Sequence, residues 1–256
     1  MSARRNWTRE ETLKAFALYF ILPSGKHDKK NADIIALANE LQRTPSSIVL
    51  KLGNIKANDP MKKGKGLAHG SKLDAQIWEE YQQRGDELTA EAMNLLLDTA
   101  QRTDNPGIAL EYVGRGLPEG KDRTVVATTR ANQSYFRNAL LDNYERHCCL
   151  TGLGLEPLLI ASHIKPWSTA DPATERLSPE NGLLLNALHD RAFDKGLITI
   201  SPELHIVVSR KVPHLAEGRP EYDYLWHFHN QRIDVPGPFR PRREFIEYHN
   251  DVVFLK

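Results

Sequence analysis

Side chains able to do acid–base or metal chemistry fall in one short stretch of this 256-residue chain. His163 closes an apolar run, Asn181 follows 18 residues later, and His189 a further 8. An imidazole titrates near neutral pH, so either histidine can take a proton from water or, when neutral, give a lone pair to a metal. The amide oxygen of Asn181 and the carboxylate of Asp194 are hard donors. Together with a histidine they would admit magnesium, manganese, nickel or zinc. A single histidine at a strand end is more often structural, so the combination carries the signal. Asn186 is a rival for the middle asparagine. Asp190 is a nearby carboxylate, but it is one helical position from His189 and is expected to point elsewhere.

These side chains need a scaffold, and the pattern supplies one. Leu158-Leu159-Ile160-Ala161-Ser162-His163-Ile164 reads as a strand that delivers His163 near its end. A polar loop, 165–180, leads to Asn181-Gly182 and a second strand, Leu183-Leu184-Leu185. Residues 187–195 then read as a short helix closed by Gly196. Upstream, Phe136, Leu140 and Tyr144 recur every four residues, the stripe of an amphipathic helix over 133–146. Downstream, 197–201 and 204–209 alternate like a hairpin, and a last helix or strand ends in Val252-Val253-Phe254.

The residues Ala161-Ser162-His163-Ile164-Lys165-Pro166-Trp167, Asn181-Gly182-Leu183-Leu184-Leu185 and Leu188-His189, with Phe193-Asp194-Lys195-Gly196 behind, resemble the HNH (ββα-metal) endonucleases. The bacterial restriction-type subgroup is the nearest. The resemblance implies an α+β fold and metal-dependent hydrolysis of phosphodiester bonds in double-stranded DNA. It implies His163 as general base and His189 as metal ligand. Asn181 is expected to hold the His163 loop in shape or to reach the ion through its oxygen. The expected catalytic set is therefore His163, Asn181 and His189, and the metal set His189, Asn181 and Asp194. One divalent ion is expected, Mg2+ or Mn2+ before Ni2+ or Zn2+. One departure stands out. Many members carry an aspartate or histidine ligand just before the base, and here that position is Ser162.

The front of the chain differs in charge. Residues 1–70 carry 13 Lys+Arg against 6 Asp+Glu, net +7; residues 71–110 are net −5 and the remainder −1. A basic front end suggests a polyanionic partner. Three helices fit there. Thr8 caps the first with Glu11 in a capping box, the second spans 32–41, and Thr44 caps a third that opens on Pro45 and ends near Gly53-Asn54. This looks like a helix-turn-helix or Myb/SANT-like module, which implies that the third helix reads DNA through Ser46, Ser47, Lys51 and Asn54. Arg137 is a candidate phosphate clamp. Two more helical stretches, the second capped by Thr89, and a linker at Arg102-Thr103-Asp104-Asn105-Pro106-Gly107 complete a three-part division. It comprises a helical DNA-binding domain 1–70, a connector 71–110 and a nuclease domain 111–256. The basic loop Lys62-Lys63-Gly64-Lys65-Gly66 suits phosphate contact.

No run of 18 apolar residues occurs, so no membrane helix is expected, and a cytoplasmic location follows by default. The adjacent Cys148 and Cys149 offer neither a disulfide framework nor a four-cysteine zinc knuckle. The expected role is restriction or defence, with a homodimer if both strands are cut. The competing expectation is a DNA-binding regulator whose nuclease site has decayed, with Ser162 as the trace.

Overall fold

Thr8 begins the first helix, α1 (Arg9–Ile21), by accepting the Glu11 N–H while Glu11 answers with its carboxylate, a complete capping box. The computed structural model describes residues 5–62, 71–102, 106–118, 120–172 and 174–256. Every residue of α1 from 11 to 21 is buried, so this helix is a core element with no solvent face. Around it pack α2 (Ala32–Glu40), α3 (Pro45–Ala57), α4 (Lys72–Arg84), α5 (Asp86–Gln101) and α6 (Ile108–Gly114). Thr44 and Pro45 open α3 as expected, but the helix runs past Gly53 because Ile55 continues its buried stripe. Thr89 does not start α5. Gly85, at φ +41°, turns the chain so that α5 begins at Asp86, and Thr89 is buried within it. The short helix α6 went unread because its cap is remote. Asp33 accepts from the Leu110 N–H at 2.9 Å across 77 positions. In the expected linker, 103–105 lie outside the described residues, as do 63–66 of the basic loop.

By internal contacts the chain divides into residues 1–138 and 139–256, a boundary inside α7 (Lys121–Asn143). Helices α4 to α6 belong by their packing with α1 to α3. The second unit holds the chemistry-bearing residues. Strand β1 (Leu159–His163) pairs antiparallel with β2 (Gly182–Asn186), placing Ser162 opposite Leu183 and His163 opposite Gly182. Helix α8 (Ala187–Asp194) follows directly and packs on both strands. Asn186 caps it, its Oδ1 accepting from the Leu188 and His189 N–H groups at 3.1 and 3.0 Å. The expected hairpin is present as β3 (Ile198–Ile200) and β4 (Ile206–Val208). Two short helices, α9 (Pro220–Tyr224) and α10 (Arg243–Tyr248), and a π-helical turn, His249–Val253, complete the unit. The described residues are thus mixed and helix-rich, with two small two-stranded sheets, in keeping with an α+β class. No helix among them is long and apolar enough to cross a membrane.

Candidate active site

His163 stands at the C-terminal end of β1, where the strand opens into the 165–180 loop. Its Nε2 lies 2.8 Å from the carbonyl oxygen of Arg176. A carbonyl only accepts, so Nε2 carries the hydrogen and the lone pair of the neutral ring is on Nδ1. Burial pushes the His163 pKa below the ordinary histidine value, against a smaller opposing effect of the Arg176 carbonyl. The ring is therefore neutral at neutral pH, as a proton acceptor must be. Trp167 meets it edge-on with centroids 5.5 Å apart, and the Arg176 guanidinium lies over the same indole. Trp167 thus packs the His163 ring into place.

Asn181 is fully buried, and its amide spans the loop mouth. Its Oδ1 accepts from the Lys165 N–H at 2.8 Å, and Nδ2 donates to the carbonyls of Lys165 and Glu175 at 3.1 and 3.3 Å. A Lys165–Glu175 ion pair at 2.5 Å closes the loop again. Of the two roles expected for Asn181, these bonds favour shaping the His163 loop, since its oxygen is already engaged.

On α8 the donors diverge. His189 is buried, and its Nε2 donates to the Tyr224 carbonyl at 2.7 Å, with Phe228 edge-on to the ring. Its Nδ1 is buried without a hydrogen-bond partner. A ring whose other nitrogen donates to a backbone carbonyl has the tautomer of a metal-ligating histidine, so this orphan lone pair fits a divalent ion. Burial lowers the His189 pKa, which keeps that lone pair unprotonated. The neighbouring Asp190 faces β1 instead. The buried Ser162 hydroxyl beside it favours its ionised form, against the larger effect of burial. Asp194, exposed at the end of α8, adds its charge to the surroundings of Asp190. Burial raises the pKa of both carboxyls. Among the described residues no group of three or more His, Cys, Asp or Glu converges as a ready metal cluster.

Residues 148–201 match the HNH endonuclease family. No curated protein matches the chain. The HNH segment starts at Cys148 and runs through β1, the clamped loop, β2, α8 and β3, so His163, Asn181 and His189 all lie within it. This segment is where the chain is similar to a nuclease family.

The residues expected to touch DNA lie outside the HNH segment. On α3, Ser46 is exposed, while Ser47 and Asn54 are half-buried. Lys51 must be corrected. It is 2% exposed, paired with Asp74 of α4 at 2.6 Å, and lies over the Trp7 ring. Packing of α4 on α3 takes it away from any groove. Arg137, half-buried on α7, belongs to the first unit. Sequence reading also set Asp190 aside, since only the seating of α8 on β1 reveals which of two adjacent helical residues faces the strand. Its spacing of four from Asp194 was the available signal.

Proposed function

We propose that the chain is a metal-dependent DNA endonuclease of the restriction or defence type, with His163 as the general base. The α1–α3 region is its helix-turn-helix-like DNA-binding part, and residues 139–256 hold the ββα-metal nuclease unit. The observation that carries this reading is the His163 tautomer inside a segment matching the HNH endonucleases. With Nε2–H held by the Arg176 carbonyl, Nδ1 takes the proton of the attacking water, and the loop braced by Asn181 keeps the ring from turning. Phosphodiester hydrolysis also needs charge neutralised on the phosphate and on the leaving 3′-oxygen, which a divalent ion supplies when bound. His189 Nδ1, Asp190 and Asp194 are the donors of α8 from which its protein ligands are drawn. Ser46, Ser47 and Asn54 are the base-reading candidates, Arg137 a phosphate contact, and a homodimer the form that cuts both strands.

Supercoiled plasmid with Mg2+ or Mn2+ tests this directly. His163→Ala is expected to lower cleavage by about a hundredfold or more while DNA retardation stays unchanged. Normal cutting by that variant would remove the base assignment. Wild-type protein that retards DNA and leaves it intact would be the DNA-binding regulator instead.

A further inference from the structure

The cations at the front of the chain fall into two groups. Arg9, Lys14, Arg43 and Lys51 pair with the carboxylates of Glu80, Glu40, Glu11 and Asp74. Lys26, Lys29 and Lys30 are exposed and have no ion pair among the described residues. All three stand in the turn between α1 and α2, which its own polar groups shape. The Asp28 N–H donates to the Lys26 carbonyl at 2.8 Å, the Lys30 N–H to Asp28 Oδ1 at 2.7 Å, and Asn31 caps α2. The turn has one carboxylate, Asp28, and one of its oxygens is thus taken by backbone. The turn lies beside the C-terminal end of α3. The His27 ring is 6.0 Å from that of Tyr19, whose hydroxyl donates to Asp59, the residue after the cap of α3, at 2.5 Å. Helix α3 itself offers no charge at its exposed positions, Ser46 and Leu50, and its Lys51 is buried.

We infer that Lys26, Lys29 and Lys30 form the surface that holds the phosphate backbone of duplex DNA, with α3 beside them presented to the bases. This rests on the DNA-endonuclease reading above and names the part of the chain that meets the backbone. An unpaired ammonium can replace the counterions condensed on the duplex at once, and their release drives binding. A paired cation would first have to leave its carboxylate. Affinity therefore follows the three unpaired lysines rather than the formal charge of the front. Lysine acts on phosphate as a point charge, so this contact positions the duplex without reading its sequence. A neutral helix next to a charged turn divides the work. The turn grips the backbone, and short polar side chains such as Ser46 reach base edges.

Fluorescence anisotropy of the full chain on a labelled duplex, in EDTA so that nothing is cut, tests the assignment apart from activity. The triple variant Lys26→Gln, Lys29→Gln, Lys30→Gln is expected to bind about tenfold or more weakly at low salt. Its plot of log affinity against log salt should be shallower by about 2 to 3, since each neutralised phosphate contributes about 0.9. The loss should be equal on duplexes of unrelated sequence. An unchanged melting temperature shows that the triple variant is folded, and the single charge reversal Lys29→Glu should weaken binding in the same direction. Arg84→Gln, whose charge is already held by Glu80, should keep wild-type affinity. Wild-type affinity and salt slope in the triple variant overturn the inference, and so does an equal loss in Arg84→Gln. Plasmid cleavage run in parallel separates the levels. A wild type that cuts while the triple variant binds normally overturns the surface and leaves the nuclease reading standing. A wild type that neither binds nor cuts overturns both.

Discussion

A histidine that must accept a proton works only in its neutral form, and burial sets the range in which His163 has that form. Its pKa is lowered mainly by desolvation. Cleavage should therefore stay high as pH falls below 6.5 and drop only as pH passes through the depressed value. A pH profile of kcat/KM at saturating Mn2+ measures this. An acid limb above 6.5 would contradict a buried neutral base. The same shift acts on stability. The unfolded chain binds the His163 proton more readily than the folded one, so folding weakens as pH drops from 6.5 toward the folded pKa. The sequence marked candidate residues but not their tautomers. Nδ1 of His163 is singled out by a carbonyl 13 positions away in the loop. Lys51 looked available because its burial is decided by α4, and Asp190 looked averted because its direction is decided by β1.

At the scale of elements, local signals were legible and remote ones were not. The caps at Thr8 and Thr44 could be read from neighbouring residues, as could the order strand, loop, strand, helix around His163. Helix α6 could not, because Asp33, which holds its first turn, is far away in sequence. Asn186 couples β2 to α8. It ends the strand and caps the helix with one oxygen that accepts two N–H groups. Asn186→Ala should cost about 1 kcal/mol, lowering the melting temperature by a few degrees for a chain of this size. Thermal unfolding checks this, and an unchanged midpoint would show the cap to be dispensable.

Across the whole molecule, the basic front pairs in part with the acidic stretch after it and in part within itself. Lys51 pairs with Asp74, Arg9 with Glu80 and Glu91, and within the front itself Lys14 pairs with Glu40 and Arg43 with Glu11. The net +7 of residues 1–70 therefore overstates the charge offered to DNA, since residues 1–138 together carry only +4. Raising NaCl from 50 to 200 mM is expected to weaken DNA binding by less than about a thousandfold, the loss typical of six neutralised phosphates. Fluorescence anisotropy on a labelled duplex measures the slope, and a steeper fall would mean that these ion pairs open on binding.

Gly196, at φ +66°, ends α8, and a methyl group built there would sit 2.1 Å from the Val253 carbonyl oxygen. The Gly196 carbonyl in turn accepts from the Leu255 N–H, and Phe193 of α8 stacks on His249. Residues 249–255 thus form a wedge against the C-terminal turn of α8. A single extra carbon at this turn would lever that wedge out, and hydrolysis would fail through lost alignment, with every reactive group still present.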